Sequence, residues 1–255
     1  MTDSTSKTTK LCGYDAETIM VRDKNLVTEL MGRVSFTEML LLHLNGRMPD
    51  TVQVSITDAV LVTIMEHGLV PSAIAARLTH LGAPESFQGA VAAGLLGVGD
   101  RFAGTASACA ELIDAVVAAP ESDKTRVADD LINALRRTKT PVPGFGHPIH
   151  RGKDPRVERL LDIARQAGVE GRHLAALDLI EERVQHALGR KLPTNISAAI
   201  AAVLGEAGIP SSIMRGIILV ARCGGLVGHL HEEITDPSAG AMWNAVEAAV
   251  PFEKP

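Results

Sequence analysis

Aromatic side chains are scarce in this chain: they make up 3% of its 255 residues, with one tryptophan and one tyrosine, although 46% of the residues are hydrophobic. Rings cannot fill a core of that composition, so it has to come from helices that approach closely through small side chains. Cysteine is also sparse. Cys12, Cys109 and Cys223 stand far apart without a C-x-x-C, which suggests neither a disulfide framework nor a thiolate zinc site and makes a reducing compartment the default. Positive charge is not in excess either. A net charge of -5 and a pI near 6.0 argue against a nucleic-acid partner while leaving room for a local basic pocket and a small anion. No apolar run is read as approaching the length of a membrane span, and the first ten residues are polar, so a cytoplasmic location without a membrane partner is expected. Neither a G-x-x-x-x-G-K-[ST] nor a strand-linked G-x-G-x-x-G occurs, which sets nucleotide hydrolysis aside, and no repeat marks a solenoid.

What is present is a succession of helix signals. Ser35-Phe36-Thr37-Glu38 is a capping box, and Gly46 stops the helix it opens. Asp50 caps a second helix to Met65, and Pro71-Ser72 begins a third that ends near Gly82. Helical patterns follow over 84–96, 104–118, from the Ser122–Thr125 region to 137, 155–168, 173–188, 194–207, from Ser211 to a break or bend at Gly224-Gly225, and after Ser238. The charge run Glu181, Glu182, Arg183 and Gln185 reads as a mostly solvated face. Only residues 11–26 suggest strand, as a short hairpin. About ten helices and almost no strand make the fold class all-α, with residues 1–10 as a flexible tail.

One stretch does not fit a helix or a strand. Residues 141–156 hold four prolines, three glycines, two histidines and three basic side chains between two long helices. Proline fixes its path, glycine lets the backbone approach a ligand, and Arg151, Lys153 and Arg156 supply charge for an anion. His147, between Gly146 and Pro148, is placed like a general acid or base. The plain alternative is a rigid surface loop with a satisfied histidine. Asp154 as cap and Pro155 at the first helical position mark the exit, so Arg156 falls in the first turn, where free amides also favour an anion.

Four motifs in order carry a family resemblance. They are Glu66-His67-Gly68 with Ser72 and Arg77, then 99–104 (Gly-Asp-Arg-Phe-Ala-Gly), then Gly144-Phe145-Gly146-His147 with Asp154-Pro155-Arg156, and finally Ala221-Arg222-Cys223-Gly224-Gly225-Leu226-Val227-Gly228-His229. With Leu41 to Pro49 as an early element, they resemble the citrate synthase superfamily, nearest to citryl-CoA lyase and the C-terminal lyase module of ATP-citrate lyase. The resemblance runs from about Leu11 to the end. It implies a large helical unit with a small helical domain inserted at about 145–210, a homodimer or higher homo-oligomer, and a cleft for coenzyme A thioesters and a small carboxylic acid. No bound cofactor is implied, coenzyme A entering as part of the substrate, and no metal. By the same resemblance His147 is the proton-shuttling catalytic residue, and Ser197 stands at a second catalytic position. His67, Phe102, Arg156 and Arg222 bind substrate, and Gly144, Gly146 and Arg151 serve coenzyme A. The implied activity is a lyase that cleaves a carboxylated 3-hydroxyacyl-CoA to an acyl-CoA and a 2-oxo acid, acetyl-CoA and oxaloacetate in the case of citryl-CoA.

Two departures bear on that expectation. Phe102 stands where citrate synthases have histidine, which favours the cleavage branch. Ser197, in Asn195-Ile196-Ser197, stands where the family has an aspartate that moves the acetyl proton, and an unassisted hydroxyl is a weak base. A water on Ser197, another carboxylate such as Glu66, a different thioester substrate undergoing condensation or hydrolysis, or a non-catalytic CoA-binding protein all fit the serine. Read alone, His67 is also a helix C-cap donor, Arg222 a buried ion-pair residue in need of a carboxylate, Ser197 a packing residue and Phe102 a pocket wall. His147-x-x-His150 and His229-x-His231 with Glu232 leave a metal hydrolase as a competing class, at spacings unlike recognised zinc motifs.

Overall fold

A computed structural model describes residues 7–99, 105–146 and 154–254. Local signals start several of its helices. The Ser35 hydroxyl accepts the Glu38 amide while the Glu38 carboxylate accepts the Ser35 amide. This closed box opens α1 (Phe36–Asn45), which ends at Gly46 with φ +69°. Asp50 and Gln53 repeat the device at α2 (Thr51–Met65), and Pro71 stands in the first turn of α3 (Pro71–Gly82). The next helix, α4 (Phe87–Leu96), begins at Phe87 rather than Pro84, because 83–86 form a turn. Then come α5 (Thr105–Ala118) and α6 (Lys124–Arg137). Asp154 caps α7 (Pro155–Gln166) by accepting the Arg156 amide, and α8 (Arg172–Leu188), α9 (Ile196–Glu206), α10 (Ser211–Thr235) and α11 (Ala239–Ala249) complete the order.

The all-α class holds, with eleven α-helices among the described residues where the pattern predicts about ten. The hairpin expected near the N-terminus is present with a third short strand. Cys12–Tyr14, Ile19–Val21 and Lys24–Asn25 pair antiparallel, with Gly13 opposite Met20 and Met20 opposite Asn25. A single π-helical turn over Leu26–Leu30 follows, and Val21 and Leu30 pack on Leu42 of α1. Of the expected tail, residues 1–6 lie outside the described residues. Ser35→Ala opens the α1 box and should cost about 1 kcal/mol of stability. Circular dichroism should register this as a Tm lower by about 2–4 °C; an unchanged Tm would mean that the cap contributes nothing.

The centre of the fold is α9, buried at every residue from Ala198 to Gly205. A helix that is apolar all round must be surrounded, and α9 packs against α2, α5, α7 and α8. Alanines at 198, 199, 201 and 202 let those neighbours come close to its backbone. Ile56 of α2, Ile113 of α5, Leu160 of α7 and Leu177 of α8, all buried, belong to the same core. Phe145 is the single ring in this core among the described residues.

Two elements differ from the sequence reading. Gly224 and Gly225 do not break α10, which runs through 25 residues. A Cβ on Gly225 would overlap the Met65 carbonyl, so the missing side chain is what lets α10 lie on the end of α2. That contact offsets the helix propensity lost to glycine, about 1 kcal/mol. By length and composition α10 is also apolar enough to span a membrane, against the expectation that no run approaches that length; here it packs on α2, α3, α4 and α5. The second difference is on α8. Arg183 holds Asp129 of α6 through two bonds of 2.7 and 3.0 Å, and Glu181 accepts the Thr194 hydroxyl at 2.7 Å. Part of the charge run therefore ties α8 to its neighbours.

Candidate active site where α2, α7, α9 and α10 meet

Two glycines shape the entry to the proline-rich loop. Gly144 and Gly146 adopt φ of +86° and +80°, the left-handed region that suits glycine. Their backbone is held by the segment before α9. The Gly146 amide donates to the Pro193 carbonyl at 2.8 Å, the Asn195 amide donates to the Gly144 carbonyl at 2.9 Å, and Phe145 and Thr194 form an antiparallel bridge. Asn195 serves both sides, because its Oδ1 accepts the Ser197 amide and caps α9 while its Nδ2 donates to the Gly146 carbonyl. The loop is thus fastened to the helix end that carries Ser197. His147 follows Gly146 directly in sequence; His147, Arg151 and Phe102 lie outside the described residues.

Ser197 is half-buried, and its Oγ accepts the Thr105 hydroxyl at 2.8 Å. Its own O–H is left to donate. Cys109 of α5, the neighbouring thiol, is buried against Gly144, and burial pushes its pKa up to about 12, so it stays neutral and acts as packing.

The charged part of the site lies at the start of α7 and on α10. Arg156 directs Nε and Nη2 to the buried Asp154 carboxylate at 3.1 and 2.8 Å, which fixes its guanidinium at the helix N-terminus. Arg222 of α10 is different. Its Nη1 makes one long contact of 3.4 Å to the Met65 carbonyl, and among the described residues no carboxylate pairs with it directly. Burial lowers its pKa, the Glu66 carboxylate opposes that, and the positive charge of Arg156 reinforces it. Two arginines close enough to repel, one of them unpaired, favour an anion between or beside them.

His67 is exposed, just past the end of α2. Its amide does not return to a helix carbonyl as a C-cap would; it donates to Glu66 Oε1 at 2.7 Å, and the Gly68 amide does the same at 2.6 Å. His229 Nε2 lies 3.0 Å from the same oxygen. Burial works against the Glu66 carboxylate, but the bonds from His67, His229 and Gly68 outweigh it and hold its pKa below the ordinary glutamate value. The other nitrogen of His229 faces Arg77, so both are committed to protein partners rather than to the metal-binding pattern considered for His229 and His231.

A sequence profile of the citrate synthase C-terminal domain matches residues 8–242. The chain belongs to the citrate synthase family. Within it, the citryl-CoA lyase from Hydrogenobacter thermophilus is 30% identical and superposes with a TM-score of 0.86 over 98% of this chain and 95% of that one. The ATP citrate lyase from Methanosaeta concilii, solved with (3S)-citryl-CoA, shares the fold at 19% identity and a TM-score of 0.76, over 98% of this chain and 42% of that one. A citrate synthase from Haloferax volcanii is 27% identical over 199 residues, 77% of this chain and 51% of that protein. The chain spans about half the length of the curated citrate synthases it matches.

Sequence reasoning missed several residues that shape this site in a citrate synthase fold. Thr105, the bond from Asn195 to Gly146, the bond from His229 to Glu66, and the pairing of Arg77 with His229 have no local signature, since each joins two distant segments. Only Asn195 offered a signal, as a cap residue two places before Ser197.

Proposed function

We propose that this protein is a citryl-CoA lyase-like enzyme, cleaving a carboxylated 3-hydroxyacyl-CoA to an acyl-CoA and a 2-oxo acid. The observation that carries the reading is the near full-length likeness to a citryl-CoA lyase in both directions, where the citrate synthases match only over half their length. Arg222, without a carboxylate partner among the described residues and beside Arg156, takes a carboxylate of the acid half, and His67 lies on the turn next to it. His147, next in sequence after the Gly144–Gly146 turn, removes the proton of the tertiary hydroxyl. The electron pair of the breaking C–C bond passes to the thioester as an enolate, the hydroxyl carbon becomes the 2-oxo carbonyl, and the enolate carbon takes up one proton.

Ser197 bears on the direction. Cleavage needs a proton donated to the enolate, whereas condensation needs a base to remove one. A hydroxyl whose oxygen accepts from Thr105 keeps its own proton free to donate, directly or through a water, whereas as an unassisted base it is weak. Gly146 and Arg151 serve coenzyme A, and the working unit is a cytoplasmic homodimer or larger homo-oligomer. No cofactor enters the scheme.

The test is time-resolved mass spectrometry of the purified protein with citryl-CoA. Acetyl-CoA and oxaloacetate should appear together in equal amounts; binding without products would overturn the lyase reading. Arg222→Met should weaken oxaloacetate binding by about 30-fold or more, the cost of removing one partner of a desolvated charge pair, with coenzyme A affinity nearly unchanged by calorimetry. Equal binding by the variant would remove Arg222 from the acid site.

A further inference from the structure

Behind the exposed turn at His67 runs a line of polar side chains that a catalytic scheme confined to the surface leaves without a task. Arg77 of α3 is 2% exposed. Its guanidinium bonds Glu232, Glu233 at 2.9 Å and the Ser238 hydroxyl at 3.1 Å. Glu233, also buried, accepts the Ser238 and Ala239 amides and so caps α11. On the other side, Arg77 Nε and Nη2 approach His229 Nδ1 at 3.2 and 2.9 Å.

A guanidinium can only donate, so Nδ1 of His229 must present its lone pair. The single ring proton of the neutral imidazole then sits on Nε2 and points at Glu66 Oε1, 3.0 Å away. That oxygen also receives the His67 and Gly68 amides. Arg222, Gly225, His229 and Glu232–Glu233 recur every three or four residues along α10, so one helical face supplies the whole line, and Gly225 lets that face touch the end of α2. The same Glu66 carboxylate is the negative charge that Arg222 feels most strongly. Arg222 also donates to the carbonyl of Met65, the residue before Glu66, at 3.4 Å, so Glu66 lies between the backbone of one candidate substrate residue and the anchor of another.

We propose that Glu66, aimed by His229 and Arg77, is a positioning residue: it fixes the His67 turn and presets the Arg222 guanidinium for the carboxylate end of the substrate. The acid-binding part rests on the proposed lyase function; the geometric part does not. The arrangement resembles a lever anchored in the interior. Arg77 is buried and held by two carboxylates, His229 transmits its orientation through a defined tautomer, and Glu66 presents the result at the surface. A carboxylate fixed on three donors holds both residues in place before the ligand arrives, which avoids reorganisation on binding.

The test uses the full chain and three variants: Glu66→Asp, whose shorter side chain keeps a carboxylate beside the turn but falls short of His229; His229→Leu, which breaks the line; and His229→Gln, which retains a donor to Glu66 and an acceptor for Arg77. Long-range 1H–15N spectra of imidazole-labelled protein should show His229 neutral with its proton on Nε2. Amide exchange at His67 and Gly68 should quicken about tenfold in His229→Leu and return towards the original rate in His229→Gln. The Kd for oxaloacetate should rise about tenfold in Glu66→Asp and His229→Leu and recover in His229→Gln, while the Kd for coenzyme A stays within about twofold. A ring proton on Nδ1, or exchange unaltered by His229→Leu, overturns the proposal. So does altered exchange with unaltered oxaloacetate affinity, which would make the line structural only. Failure of the unaltered protein to bind oxaloacetate overturns the acid-positioning role together with the functional reading, while exchange still decides whether the line fixes the turn.

Discussion

His147→Ala should lower kcat for citryl-CoA cleavage by about 10²–10⁴-fold, the range for loss of a general acid–base group, with coenzyme A affinity nearly intact. The size follows from where the electrons go. Without a base at the tertiary hydroxyl, cleavage would have to pass through a protonated ketone, and nothing else in the proposed scheme takes that proton. The residue's position is prepared by its neighbours. Gly146 is tied through its amide to Pro193 and through its carbonyl to the Asn195 side chain, and Asn195 is itself the cap of the central helix α9. The residue just before the base is therefore tied to the helix that carries Ser197, the best-buried element of the fold. Rapid-quench mass spectrometry with enzyme in excess over citryl-CoA isolates the chemical step, and calorimetry with coenzyme A reports binding. Turnover within twofold of the unaltered protein would take His147 out of the mechanism.

Much of the fold was legible because its signals are local. Ser35 with Glu38, Asp50 alone, and Asp154 with Pro155 each state a helix start within four residues, and each forms as expected, Gln53 adding a second bond at Asp50 that was not foreseen. What escaped the sequence reading depends on contacts between distant segments. Gly224 and Gly225 looked like a break because isolated glycine weakens a helix, and only the Met65 carbonyl lying against α10 reveals why glycine is needed there. Arg183 and Glu181 looked solvated until Asp129 and Thr194 were brought beside them. The site divides in the same way. His67, Arg156, Ser197 and Arg222 were named from motif order, and the structure brings Arg156 and Arg222 within reach of each other's charge. No periodicity links Glu66 to His229 or His229 to Arg77, so their connection appears only when α2, α3 and α10 are assembled.

Gly144→Ala should cost about 2–5 kcal/mol of stability, the sum of two effects that a single methyl introduces. The backbone at φ +86° lies in the region where a Cβ costs about 1–2 kcal/mol. The new methyl would also meet Cys109 Sγ at 2.7 Å and Ala198 Cβ at 2.8 Å, both buried, and overpacking of this kind costs about 1–3 kcal/mol. Thermal unfolding should show a Tm lower by about 5–15 °C. Pairing the change with Ala198→Gly separates the two causes, since removing the Ala198 methyl relieves part of the overlap and leaves the backbone strain. The double variant should be less unstable than the sum of the two single changes, and strict additivity would mean that the loop does not press on α9 at this point. Activity gives the second half of the argument. If the Gly144 contact seats the loop on the helix that carries Ser197, Gly144→Ala should lose cleavage activity even at temperatures where circular dichroism shows it fully folded. Retained kcat in a destabilised protein would mean that the loop finds its working position independently of α9.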